Sequence, residues 1–156
     1  DRCLSRGLGD VYKRQIPRNA EVGVMPVEFG AGRAGYYFDG KKEATFGNGL
    51  PDDLGIESEA DMVGLLGRGE DMFNVHCAIC HGKSGNGKGV VSHHLGKVGV
   101  GVPSLHNYPQ ETSPDGYIYE VISNGKGLMG GYKHNLPVRD RWAIVSYLRA
   151  LQASAK

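Results

Sequence analysis

With 156 residues, 40% of them hydrophobic and 22% charged, the chain has the length for one domain with a single core and the composition of a soluble globular protein. No stretch reaches the roughly 18 apolar residues of a membrane span, and 25 glycines signal many turns and little strand. The formal net charge of +1 hides a split, because residues 16–76 carry five basic and eleven acidic side chains (net −6) and residues 77–156 nine and four (net +5).

Residues 1–15, with Arg2, Cys3, Arg6, Lys13 and Arg14, have no steady periodicity and no charged-then-apolar export signal. They are expected to be an unstructured artefact, which discounts Cys3 as a lipid-bearing site. Residues 16–57 contain eight glycines, from Gly23 to Gly55, with Pro17, Pro26 and Pro51, so no long helix fits there. Phe29, Tyr36, Tyr37, Phe38 and Phe46 are too many aromatics for a solvated linker. An extended arm is expected, packed on its own domain or on a partner subunit.

From residue 58 to 156 the pattern is helical. A first helix begins near Ser58 or Asp61 and runs to about Cys77, with Met62, Leu65, Leu66, Gly69, Phe73 and His76 near one face. Gly64, Gly67 and Gly69 each weaken it by about 1 kcal/mol against alanine, which demands an offsetting reason. The run Cys77-Ala78-Ile79-Cys80-His81 follows, the C-x-x-C-H spacing of covalent c-type haem attachment. Two thiols bond the vinyl carbons of one haem and place His81 under the iron as proximal ligand. A structural zinc site lacks a second ligand pair, and a thioredoxin-like redox pair lacks its βαβ setting.

Residues 82–101 hold seven glycines and read as an irregular loop without the strand, helix and Lys-Ser/Thr that a phosphate site needs. An iron-bound imidazole donates its other ring proton to an oxygen, and the Pro103 carbonyl is the candidate here. Ser113-Pro114-Asp115 starts a helix through Ile118, Val121 and Ile122, with Ser113 as cap and Gly125 as the stop. The glycine-bounded loop 125–132 then carries Met129. A last helix, about Pro137 to Gln152, shows a broad apolar stripe of Trp142, Ile144, Val145, Tyr147, Leu148 and Leu151.

Met129 is the candidate for the second axial position, since a loop lets its thioether approach iron opposite His81. His134 is the main rival, with His93, His94 and His106 behind it. Met/His ligation suits electron transfer and raises the reduction potential. Tyr132, Arg139 and Arg141 are candidates for the haem propionates, although Arg141 reads better as part of the exposed face of the last helix. Lys83, Lys88, Lys97, Lys126 and Lys133 would surround the haem and either steer an acidic partner or be merely solvated.

Over about residues 64–152 the chain resembles the class I c-type cytochromes, on Gly69 and Phe73, Cys77, Cys80 and His81, Pro103 with Leu105, Met129, and Ile144 with Tyr147. The resemblance implies an all-α fold wrapped around one covalent haem c, with the first and last helices crossing at the glycine between two aromatics. More narrowly, Val121-Ile122-Ser123-Asn124-Gly125, Met129, Tyr132 and the run from Asp140 to Gln152 are similar to the small monohaem subunit of bacterial alternative complex III. That likeness implies a non-catalytic, one-electron subunit of a membrane quinol-oxidising complex that feeds a terminal oxidase or carrier. It also implies a periplasmic, membrane-associated location through partners or an unseen lipid anchor, with the export signal missing or removed. The partners expected are other subunits or redox proteins, and no nucleic acid. A freely diffusing periplasmic carrier and a haem enzyme or gas sensor with a labile sixth ligand are the alternatives.

Overall fold

The structure is a computed structural model and describes residues 35–155. The expectations for residues 1–15, for Cys3 and for residues 16–34 of the arm, Phe29 included, fall outside the described residues. Among the described residues there are six α-helices: α1 (Tyr36–Asp39), α2 (Glu59–His76), α3 (Ala78–His81), α4 (Val90–Gly96), α5 (Asp115–Asn124) and α6 (Val138–Ser154). Two antiparallel hairpins, β1 (Lys41–Lys42) with β2 (Thr45–Phe46) and β3 (Gly125–Lys126) with β4 (Met129–Gly130), complete the fold with two single 3-10 turns.

A capping box starts α2. The Ser58 hydroxyl accepts from the Asp61 amide at 3.2 Å, while the Asp61 carboxylate accepts from the Ser58 amide at 3.0 Å. The buried face of α2 is Leu65, Gly69 and Phe73, and it lies across α6. Gly69 sits at the crossing, where an added Cβ would run into the Ala143 carbonyl and come within 2.9 Å of the Tyr147 Cβ. Phe73 and Tyr147 close one side of this contact with ring centroids 5.5 Å apart. On the other side Arg68 grips the buried Asp140 through a two-pronged ion pair, Nε to Oδ1 at 2.8 Å and Nη2 to Oδ2 at 2.6 Å.

The three weak points of α2 therefore differ in kind. Nothing lies within 4 Å of a Cβ placed on Gly64 or Gly67. Alanine at either position is expected to raise stability by about 1 kcal/mol, the helix-propensity gain. Alanine at Gly69 gains the same amount and loses about 1–3 kcal/mol by overpacking, so it is expected to destabilise by up to about 2 kcal/mol. Urea midpoints of the three variants check this, and a Gly69→Ala protein stabilised as much as the Gly64 and Gly67 variants would disprove the crossing.

Residues 35–57 are not extended. They form α1, the first hairpin and a 3-10 turn at Asp52–Leu54, and they pack on this chain's own α5 and α6. The Trp142 indole donates to the Tyr37 carbonyl at 2.8 Å, stacks on Tyr119 at 4.4 Å and meets the Tyr36 ring edge-on at 5.2 Å. The Gly116 amide donates to the Gly47 carbonyl at 2.9 Å, and Arg139 donates to the Leu54 carbonyl at 2.7 Å.

Two expectations near α5 are corrected. Ser113 does not cap this helix; Pro114 holds the cap position with no side-chain cap bond. The Asp115 carboxylate that follows is a junction, taking Gly49 N–H at 2.8 Å, the Gln110 amide at 2.6 Å and Arg149 Nε at 2.6 Å. Arg141 is not on an exposed face. It is buried, with its guanidinium 4.8 Å over the Tyr119 ring and a hydrogen bond to the Ser123 hydroxyl, because its position on α6 turns toward α5.

Candidate functional site

Cys77 ends α2 and α3 begins at once, so Cys77 and the next two motif residues share a single helical turn. The amides of Cys80 and His81 donate to the Cys77 carbonyl at 3.1 and 2.9 Å. Spacings of three and four residues put both thiols and the imidazole on one side of that turn. Both cysteines are half-buried, and burial, reinforced by Cys80, pushes the Cys77 thiol up to about 12. A sulfur so placed is neutral, as a thioether is.

The His81 ring has its Nδ1 at 3.3 Å from the Pro103 carbonyl. A carbonyl only accepts, so Nδ1 carries the proton and Nε2 keeps its lone pair. Burial holds His81 below the usual histidine range, against the opposing pull of the Pro103 carbonyl, so the ring is neutral at pH 7. Two half-buried sulfurs and an imidazole nitrogen with its lone pair available are the donor set that a covalent haem requires.

The glycine-rich segment after His81 is a tight loop followed by a helix. Gly82, Gly85 and Gly87 all adopt positive φ, and the loop returns to the motif through Gly87 N–H to His81 O at 2.7 Å and Gly89 N–H to Cys80 O at 3.1 Å. Helix α4, with the exposed His93 and His94, occupies part of what reads in sequence as irregular loop. Seven residues between glycines are too few for periodicity to declare itself.

Met129 lies half-buried in β4, in register with Lys126. The expected loop is a two-residue hairpin. Gly127 has φ +60° and Leu128 is not in the left-handed region, which fits a type II′ turn with Leu128 at the tip, 84% exposed. Three residues beyond Met129, the half-buried Tyr132 donates its hydroxyl to the His76 carbonyl at 3.2 Å and sets its ring edge-on to His76 at 5.7 Å. Burial and the nearby Cys77 and Cys80 raise the Tyr132 hydroxyl above its ordinary value. The hairpin is thus tied to the residue just before the first motif cysteine. The Tyr132 hydroxyl is engaged with the His76 carbonyl, and Arg139 donates from one Nη to the Leu54 carbonyl. His134 is exposed, and His106 is engaged with the carbonyl of Ser84.

Fold and motif together point to the class of monohaem c-type cytochrome domains, for which a covalent haem c is implied. The chain belongs to the family described as cytochrome c oxidase, cbb3-type, subunit III, whose model matches residues 64–148. Among solved structures, cytochrome cL from Hyphomicrobium denitrificans is similar at 24% identity and a TM-score of 0.43, over 64% of this chain and 62% of that one. The match thus spans less than two thirds of that protein. Comparison with curated proteins gave no match. Proteins of the cytochrome c class are typically extracytoplasmic, and among the described residues no helix is long and apolar enough to cross a membrane.

Proposed function

We propose that this chain transfers single electrons as a periplasmic, membrane-associated subunit of a respiratory complex, holding haem c by Cys77 and Cys80 and ligating it with His81 and Met129. The observation that carries the reading is the single turn bearing both thiols and His81, with the His81 ring fixed by Pro103. When bound, the haem supplies a one-electron Fe(III)/Fe(II) couple. The chain's own groups do the rest. Pro103 orients the His81 ring and raises its basicity, which favours the oxidised state. Tyr132 anchors the hairpin that presents Met129, and α2 packed on α6 keeps water from the inner face of the motif. Lys83, Lys88 and Lys97 are exposed on the segment that follows the motif and would attract an acidic partner.

The family match favours a cbb3-type terminal oxidase as the host complex. A second reading, a quinol-oxidising assembly of the alternative complex III kind, draws on the likeness of residues 121–125, Met129, Tyr132 and 140–152. Chromatography of detergent-solubilised native membranes with haem staining separates them. This polypeptide is expected in a large assembly that contains oxidase subunits or, on the second reading, oxidises quinol. Recovery only as a free species near its 16.8 kDa chain mass would sink both and leave a diffusing carrier.

A further inference from the structure

His81 and Pro103 are linked twice. The direct link is 3.3 Å long, beyond the roughly 2.9–3.0 Å that N–H···O bonds prefer, so alone it holds the carbonyl loosely. The second link runs through the backbone after His81 and closes on two shorter contacts. Leu105 N–H donates to the Gly85 carbonyl at 2.7 Å, and His106 Nε2 lies 2.7 Å from the Ser84 carbonyl. Between them the loop is wedged in place: Gly87 N–H donates to the His81 carbonyl at 2.7 Å, and a Cβ on Gly87 would sit 3.1 Å from the Pro103 carbonyl carbon.

The tautomer of His106 follows from its surroundings. Facing a carbonyl, Nε2 must carry the proton, which leaves Nδ1 as a bare nitrogen. Nδ1 is buried and has no hydrogen-bond partner among the described residues.

We propose that His106 is a positioning residue for the axial ligand: by holding Ser84, it fixes the Pro103 carbonyl against His81 Nδ1 and so sets the basicity of the His81 ring. The inference rests on the reading of His81 as ligand of a covalent haem. A loosened carbonyl makes the ligand less basic and stabilises Fe(III) less, so the reduction potential rises.

The test uses the full haem-loaded protein with His106→Phe and His106→Gln. The phenylalanine fills the space and cannot donate; the glutamine amide can reach the carbonyl. His106→Phe is expected to shift the Fe(III)/Fe(II) equilibrium constant at least threefold, about 28 mV upward for one electron, and to move the His81 Nδ1 proton resonance. His106→Gln is expected to restore most of both. A His106→Phe protein with unchanged potential and resonance overturns the proposal even if it is less stable, since a merely structural histidine would behave that way. If that variant does not accumulate, the parent protein decides: slow exchange of the His106 Nε2 proton supports the contact with Ser84, and unprotected exchange overturns it. Failure of the underlying haem reading is separately visible, as a parent protein without the mass of one haem.

Discussion

Replacing Trp142 with alanine is expected to destabilise the protein by about 3–5 kcal/mol, a large share of the 5–15 kcal/mol that holds a typical domain folded. The indole is wholly buried on α6 and joins three parts of the structure. One face stacks on Tyr119 of α5, its edge meets Tyr36, and its Nε1–H reaches the Tyr37 carbonyl. Truncation removes the apolar burial, leaves a cavity between two helices and cuts the link to α1. With a urea slope of about 2 kcal/mol per M, the midpoint should fall by roughly 2 M. Trp142→Phe separates the contributions. It keeps a stacked ring and loses the hydrogen bond, worth about 0.5–1.5 kcal/mol, together with part of the packing. Limited proteolysis gives the local readout, because residues 41–46 should become accessible at lower urea in the alanine variant than cleavage within α6. A midpoint shift below about 0.5 M would mean that the arm is held by something other than this indole.

What could be read from the residues follows from which interactions are local. Helices α2, α5 and α6 are long enough for period-3.6 burial to show, and the Gly69, Phe73 and Tyr147 crossing lies where the cytochrome resemblance puts it. The seven-residue α4, set between glycines, offers too little periodicity. The destination of residues 35–57 was equally hidden. Aromatics such as Tyr36 and Tyr37 announce that they must be buried, yet their partner Trp142 stands 105 residues from Tyr37, and composition does not encode that distance. Arg141 misleads for a related reason. An arginine on an amphipathic helix reads as solvent-facing until the Tyr119 ring and the Ser123 hydroxyl are seen to receive it. At the site, imidazole chemistry demands an oxygen for His81 Nδ1. The folded loop that brings Ser84 and Gly85 against residues 105 and 106 has no local signature beyond glycines at 82, 85 and 87.

Met129→Ala is expected to change the spectrum and potential far more than the stability. The side chain is half-buried in a two-residue strand whose register is set by backbone pairing with Lys126 and by Gly127 in the turn, so the hairpin should survive its loss. Tyr132 keeps the hairpin anchored to the His76 carbonyl beside Cys77. A cost below about 2 kcal/mol is expected for one partly buried methionine. The haem, by contrast, would lose a soft sulfur ligand that favours Fe(II). The potential should drop by at least about 59 mV, a tenfold change in the one-electron equilibrium constant. The methionine-to-iron charge-transfer band at the red end of the ferric spectrum should vanish, and the ferrous protein should bind carbon monoxide rapidly where the parent does not. His134→Ala is the control, because His134 is exposed and should leave all three readouts unmoved. A parent protein that already binds carbon monoxide freely would point to an enzyme or gas sensor. Loss of the sixth ligand in His134→Ala and not in Met129→Ala would transfer the ligation to the histidine, with the lower potential that a bis-imidazole iron carries relative to Met/His.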